Sequence, residues 1–135
     1  IKGQIDYYKS HRRLLQFGKY RRYDSVFDEA GRSSWIVTLP DKSEAIAFLC
    51  ETKQLLNSGA SKWRLGGFDD NAVYSVEVRS QRGFSNKAAI KYETRGDVLN
   101  NCELDFGKLF DGETDRMACT VPLATRLVYF KKKQE

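Results

Sequence analysis

The sequence predicts a single α+β domain, in which an N-terminal helix and one amphipathic helix pack on a mainly antiparallel sheet of about four to six strands. Three observations support this class. Apolar residues recur with a helical period over residues 42–57 and with a period of two in several later segments. The chain has 135 residues, 41% hydrophobic and 13% aromatic, which is enough for one hydrophobic core. We therefore assign residues 1–135 to one domain.

The first predicted element is a helix over residues 4–17. Ile5, Tyr8 and Leu15 fall on one of its faces, and Gly18 suits a C-terminal cap. The apolar stripe is narrow, so we expect much of this helix to be hydrated or covered by a partner.

The strongest helical signal is "PDKSEAIAFLCETKQLLNSG", which predicts an amphipathic helix over residues 42–57. Asp41 and Glu44 have the spacing of a capping box, and Gly59 can end the helix. We expect one face of this helix to cover the sheet. The residues of that face are Ala45, Phe48, Leu49, Thr52, Leu55 and Leu56.

Beyond this helix the apolar period becomes two, which is typical of half-buried strands. The segments "AVYSVEVRS", "KAAIKYETR" and "NNCELDF" show that alternation, and the short breaks between them favour antiparallel hairpins. Two further strands are predicted at "RMACTVP" and "ATRLVYFK", and an earlier hairpin joins "YDSVFDE" to "SWIVTL". Half-polar strands indicate a sheet with one packed and one hydrated face.

Charge is unevenly distributed along the chain. Residues 7–23 contain six Lys or Arg, five aromatic residues and no acid. They contribute +6 and residues 131–135 contribute +2, so with a net charge of +5 the body, residues 24–130, carries −3. An anionic partner is therefore expected at the ends of the chain.

Two interpretations of residues 7–23 remain open. In the first, the aromatic rings pack on the sheet while the basic side chains stay hydrated. In the second, the stretch binds nucleic acid or an acidic protein surface, because arginines pair with phosphate oxygens and tyrosines stack on unpaired bases. The absence of acids supports the second interpretation. The predicted binding residues are Lys9, Arg12, Arg13, Lys19, Arg21, Arg22, Tyr20 and Tyr23.

Few residues suit catalysis or metal binding. His11, the only histidine, is flanked by two arginines, and we interpret it as a surface or packing residue. The stretch "DGETD" has oxygen ligands for Ca²⁺ but lacks the later glutamate of an EF-hand, so a hydrated turn is the simpler interpretation. The sequence has no acyl-transfer, dinucleotide or metalloprotease motif. We therefore expect a non-catalytic protein without a metal or cofactor.

The three cysteines leave the cellular compartment open. Cys50 and Cys102 are expected near or on apolar faces, where cysteines are usually buried. Alternatively, Cys102 and Cys119 pair in a disulfide, which would place the protein in the periplasm or outside the cell, whereas reduced thiols indicate a cytoplasmic or organellar protein. No segment approaches the roughly 18 apolar residues of a membrane span. Because the chain starts at Ile1, we expect that a leader, an anchor or a tag was removed.

The order of helix, loop and antiparallel sheet, with two cysteines near the C-terminus, resembles the soluble part of a pilin or pseudopilin. It is also similar to a cystatin-type helix-on-sheet fold. Three functions follow as hypotheses. The charge distribution favours a binding or assembly subunit whose basic N-terminal element contacts nucleic acid or an acidic partner within a larger assembly. The alternatives are an extracytoplasmic domain of a secretion or pilus apparatus and, last, an enzyme.

Overall fold

The computed structural model describes residues 1–24, 32–51, 63–80, 90–104 and 124–134. This part of the chain forms one six-stranded sheet and three short helices. In it, no helix has both the length and the apolar character needed to cross a membrane. The elements in chain order are α1 (Lys2–Ser10), α2 (Arg12–Phe17), β1 (Lys19–Asp24), β2 (Arg32–Thr38), β3 (Glu44–Glu51), β4 (Val73–Ser80), β5 (Ile90–Arg95), α3 (Gly96–Asn101) and β6 (Ala124–Lys132).

The strands lie in the order β1-β2-β3-β6-β4-β5, and all neighbours are antiparallel. Strand β6 is the last in the chain but lies between β3 and β4. Its register places Val128 opposite Ala47 on one side and opposite Val78 on the other. The central strands are therefore joined by long-range pairing, while β1 forms one edge of the described sheet.

One face of the sheet carries the larger core. Side chains alternate between the two faces of a strand, so the residues that β2, β3, β4 and β6 contribute to this core are two positions apart wherever a strand supplies more than one. The strand residues on this face are Ile36, Ala45, Ala47, Leu49, Tyr74, Val76, Val78, Val128 and Phe130. They are covered by Trp63, Leu65, Phe68, Ala72 and Leu99.

The opposite face carries a smaller core under the N-terminal helices. Leu14 of α2 packs there with Val37, Leu39 and Ile46. Half-buried Tyr7, Leu15, Trp35 and Tyr129 surround these four residues. Leu14 is the one buried residue of α1 and α2.

The helix predicted over residues 42–57 is wrong where the structure describes it, because Glu44–Glu51 is the central strand β3. The run "AIAFL" in this strand is apolar throughout, because a central strand is buried on both faces. A continuous apolar run fits the period of a helix as well as that of a strand, so the sequence pattern alone does not separate the two. Asp41 does not cap a helix. In the turn between β2 and β3, the carboxylate of Asp41 accepts two hydrogen bonds from Ser43, one from the backbone N–H (3.0 Å) and one from the side-chain hydroxyl (2.6 Å). Residues 52–57 lie outside the described residues.

The predicted fold class, an α+β arrangement with an amphipathic helix covering the sheet, is therefore wrong. The chain is mostly antiparallel sheet. The cover of the larger core is the extended segment around Trp63–Phe68 together with α3, and Trp63 pairs with Leu104 through two backbone hydrogen bonds of 2.8 Å.

The other elements divide into confirmed and corrected predictions. The N-terminal helix is confirmed, but it breaks at His11 into α1 and α2. The strands β4 and β6 lie where the alternating pattern placed them. The strand predicted at "NNCELDF" is wrong at its start, because Gly96–Asn101 forms α3 and buries Leu99. Leu104 forms a single β-bridge with Trp63, and residues 105–106 lie outside the described residues. "RMACTVP" lies outside the described residues.

Candidate functional site

The structure places the eight predicted binding residues on three consecutive elements, and all are exposed. Lys9, Arg12 and Arg13 lie on the helices, and the other five lie on edge strand β1. Because side chains alternate along a strand, the five β1 residues divide between the two sheet faces. Those on the helix-bearing side are Tyr20 and Arg22, and those on the other side are Lys19, Arg21 and Tyr23.

Contacts link some of these residues. The guanidinium of Arg22 donates to the Tyr20 hydroxyl (3.3 Å), and the Tyr20 ring lies 5.9 Å from Trp35. The guanidinium of Arg12 lies 5.6 Å from the centre of the Tyr8 ring, which is a cation–π distance. Within the described residues, none of the six basic side chains forms an ion pair with a carboxylate. At longer range, the charge of Arg13 adds to the hydrogen bonds from Ser43 that lower the pKa of Asp41.

The region also exposes apolar residues that sequence reasoning expected to pack. Ile5 and Tyr8, which the sequence predicts on one face of the helix, are both about half exposed. Phe17 is 70% exposed. The stripe that faces the sheet is instead Tyr7, His11 and Leu14, and its spacing of four and three residues was also visible in the sequence.

His11 packs as the sequence suggested. Its ring lies 4.2 Å from the ring of Tyr7 and 4.5 Å from that of Tyr129. Its Nδ1 donates to the backbone carbonyl of Tyr7 (2.8 Å). Burial raises the pKa of Tyr7 to about 12.

A second candidate is an open polar groove of about 1330 Å³ at one end of the sheet. It is formed by the turn between β2 and β3, the loop before β4 with the start of β4, Glu93 of β5, and the end of β6. Lys42 adopts φ 58° in that turn, which brings Asp41 and Ser43 together. The groove contains four carboxylates, from Asp41, Glu44, Asp69 and Glu93.

Each of these carboxylates already has a donor. Asp69 accepts from the ammonium of Lys132 (2.8 Å) and from a backbone N–H, and these bonds lower the pKa of its carboxyl group. The hydrogen bonds from Ser43 lower the pKa of the Asp41 carboxyl group in the same way. The remaining pairs are Glu44 with the Tyr129 hydroxyl (2.9 Å) and Glu93 with Lys133 (2.6 Å).

Tyr74 ties the walls of the groove together from the core. Its hydroxyl accepts a hydrogen bond from the backbone N–H of Asp69 (3.0 Å) and donates one to the carbonyl of Lys42 (2.8 Å). Burial raises the pKa of this hydroxyl. The polar contacts of the groove therefore connect one loop to the next.

The remaining candidates give no site in the described part of the chain. There, no three His, Cys, Asp or Glu side chains lie close enough to share a metal ion. Cys102 is exposed at the end of α3, not on a packed face, and Cys119 lies outside the described residues, so their disulfide stays a prediction. The "DGETD" turn also lies outside them.

The fold and these contacts define a domain that is mainly antiparallel sheet, with no assembled catalytic centre in its described residues. Residues 32–115 match the profile of the glycosyl hydrolase family 36 C-terminal domain. Because the match covers more than half of the chain, the chain belongs to this family, whose domain is a β-sandwich.

The relatives that the chain matches are α-galactosidases. Alpha-galactosidase AgaA of Geobacillus stearothermophilus is 36% identical over 77 residues, which are 57% of this chain and 10% of that protein. Its crystal structure gives a TM-score of 0.72 at 24% identity and covers 98% of this chain but 15% of that chain. The structure of the α-galactosidase from Lactobacillus brevis gives a TM-score of 0.71 at 27% identity. It covers 99% of this chain and 16% of that chain. This chain thus spans a small part of the length of these relatives.

The interpretations as a nucleic-acid-binding subunit and as a pilin-like domain are wrong, because the family and the fold are those of a glycoside hydrolase domain. Part of the basic charge on which the nucleic-acid interpretation rested lies on edge strand β1. An edge strand exposes unpaired backbone groups, and Lys or Arg side chains there prevent pairing with other chains. Part of the basic charge that suggested phosphate binding therefore has a structural use.

Proposed function

We propose that this chain is a non-catalytic C-terminal domain of an α-galactosidase-like glycoside hydrolase. The observation that carries the proposal is the family match over residues 32–115. The similarity to α-galactosidases over nearly the whole chain, at a sixth or less of their length, supports a role as one domain of a larger enzyme.

The chemistry of the groove supports a non-catalytic role. Hydrolysis of a glycosidic bond generally uses two carboxyl groups, one of which must be protonated to donate a proton to the leaving group. A general acid of this kind has a raised pKa, whereas the pKa values of Asp41 and Asp69 are lowered. Glu44 and Glu93 are also bound by donors. These four carboxylates suit loop fixation better than proton transfer.

The test is a domain exchange in AgaA of Geobacillus stearothermophilus. The segment of AgaA that superposes on this chain is deleted or replaced by this chain, and hydrolysis of a chromogenic α-galactoside is measured before and after heating. A fusion of the shortened enzyme to an unrelated β-sandwich of similar length is the control. We expect the chimera to keep more activity than the shortened enzyme and the control, and the isolated chain to have none.

Two results would overturn the proposal. Hydrolysis by the isolated chain would show that it is catalytic by itself. A chimera no more active or heat-stable than the unrelated fusion would show that this chain does not act as the domain of such an enzyme.

A further inference from the structure

The polar groove at the end of the sheet is crossed by a row of four side chains on neighbouring strands. Glu44 of β3 lies opposite Lys131 of β6. On the other side of β6, Lys131 lies opposite Ser75 of β4, and Ser75 in turn lies opposite Glu93 of β5. All four residues line the groove. Directly opposite residues of antiparallel strands point to the same face of a sheet, so the row spans three strand spacings, or roughly 14 Å.

The two middle residues of this row have hydrogen-bonding groups that the domain does not use. The outer carboxylates are engaged by donors of the domain itself, as in the bond from the Tyr129 hydroxyl to Glu44 (2.9 Å). Within the described residues, Lys131 forms no ion pair and Ser75 forms no side-chain hydrogen bond. An ammonium has three donors, and a hydroxyl both donates and accepts. The centre of the row therefore offers hydrogen bonds to a ligand between two carboxylates that are held in place.

The loops around the row are fixed before a ligand arrives. Asp41 accepts two hydrogen bonds from Ser43 (3.0 and 2.6 Å), and Asp69 accepts from the ammonium of Lys132 (2.8 Å) and from a backbone N–H (3.1 Å). The hydroxyl of Tyr74 joins the two loops through their backbone. A preformed site saves the cost of ordering these groups on binding.

The charges of the groove determine what kind of molecule fits it. Its described lining carries four carboxylates and three lysine ammonium groups, which gives a formal charge of −1. Carboxylates repel an anion, and a metal ion would have to displace the donors that already hold them. An apolar ligand would leave the polar groups of the lining without water or partners. A neutral molecule rich in hydroxyl groups donates to the carboxylates and accepts from the ammonium groups.

We infer that the groove is a binding site for a neutral oligosaccharide. Its hydroxyl groups accept hydrogen bonds from Lys131, exchange them with Ser75 and donate to Glu44 and Glu93. The row is longer than one sugar ring, so the ligand has at least two rings. The inference rests on the proposed function for the kind of sugar, an α-galactoside, whereas the binding chemistry rests on the groove itself.

The lining of the groove also indicates how tight the binding is. None of the described residues that line it is aromatic, so a sugar ring gains no stacking contact. Each hydrogen bond to the ligand replaces hydrogen bonds to water, and its net contribution is small. We expect dissociation constants of about 1–10 mM.

The test is a titration of this chain with raffinose, an α-galactoside, followed by the NMR chemical shifts of the backbone amides. Maltotriose, a neutral trisaccharide without galactose, is titrated in parallel, and both sugars are added to about 50 mM. We expect saturable shifts for amides of the groove, such as those of Asn71, Ser75 and Lys131. The amides of Arg21 and Arg64, which do not line the groove, should keep their shifts. A preference for raffinose over maltotriose would link the site to α-galactosides.

Single substitutions locate the site. Lys131→Ala and Ser75→Ala should each raise the dissociation constant for raffinose about tenfold or less, with the larger effect at Lys131 because its bond is to a charged group. The matched control is Lys91→Ala, which changes an exposed strand lysine that does not line the groove and should leave the constant unchanged. Thermal melts check that each variant is folded, and Lys131→Gln replaces Lys131→Ala if the alanine variant unfolds.

Three results would overturn the inference. The first is the absence of saturable shifts in the groove with either sugar up to about 50 mM. The second is an unchanged dissociation constant in both groove variants. The third is larger shifts of the same amides with inorganic phosphate or Ca²⁺ than with the sugars, because the ligand would then be an ion. All three leave the activity of the AgaA chimera unaffected, so failure of the site is distinguishable from failure of the proposed function.

Discussion

Replacing Gly96 by alanine tests how closely the covering layer approaches the sheet. Gly96 begins α3, and its N–H donates to the carbonyl of Ala72 (2.9 Å). A Cβ at this position would overlap the carbonyl oxygen of Asp69 and lie 2.7 Å from its carbonyl carbon and 3.2 Å from the ring of Tyr74. The first two atoms belong to the backbone, so no side-chain rotation relieves the contact.

The magnitude follows from the type of contact. Overpacking in a well-packed core costs about 1–3 kcal/mol, and a clash with backbone belongs at the upper end of that range. Alanine is a better helix former than glycine by up to about 1 kcal/mol, which offsets part of the cost. We expect a net loss of about 2 kcal/mol in the free energy of unfolding. For a domain of this size that loss corresponds to a fall of roughly 8 °C in Tm.

The assay is thermal unfolding of the isolated chain followed by circular dichroism, with Gly66→Ala as the matched control. At Gly66 the nearest atom to an added Cβ is the Tyr23 hydroxyl at 3.3 Å, at the end of an exposed side chain that can move aside. We expect Gly66→Ala to stay within about 2 °C of the unsubstituted chain. Equal melting temperatures for the two alanine variants would refute this account of the packing.

Three further changes test the core and the groove. Leu99→Ala should cost about 2–5 kcal/mol in urea unfolding, because Leu99 is fully buried, whereas Val98→Ala should cost under about 1 kcal/mol. Tyr74→Phe should lower the free energy of unfolding by about 1–3 kcal/mol, because it leaves the N–H of Asp69 and the carbonyl of Lys42 without their partner. An unchanged midpoint of urea unfolding would contradict this. The lowered pKa of Asp69 means that its ionised form favours the fold above the ordinary value of 3.8, and that this contribution is lost as pH falls below that value. The Asp69→Asn variant should therefore lose less stability than the unsubstituted chain between about pH 4 and pH 2 in thermal melts. If the melting temperatures of the two proteins fall equally over this pH range, the hydrogen bond from Lys132 does not stabilise the fold.

The sequence predicted those elements whose two faces differ. In β4, Tyr74, Val76 and Val78 enter the larger core while the residues between them face the other side, so the alternation was readable. Strand β3 has no polar face, because Ala45 and Ala47 enter one core and Ile46 enters the other. Its position between β2 and β6 depends on long-range pairing, which local periodicity does not contain.

The candidate site was predictable in composition but not in arrangement. The sequence showed that residues 7–23 hold six basic residues and no acid, and the structure shows all six exposed. It did not show that β1 is an edge strand, which divides Arg21 from Arg22 across the sheet. The relation to glycoside hydrolases could not follow from chemical motifs either. The pattern shared with the relatives is that of a β-sandwich, and the described residues carry no catalytic pair to recognise.

The two N-terminal helices differ in how firmly they are held to the sheet. Leu14 of α2 is buried against Val37 and Ile46, and Gly18 lies so close to Val37 that a Cβ there would overlap its side chain. Helix α2 is therefore fixed to the sheet, whereas α1 is attached to it mainly through Tyr7 and the break at His11. A change at Leu14 must therefore disturb the smaller core of the domain. A change at Ile5 or Tyr8 removes no fully buried contact, so we expect it to cost the domain little stability.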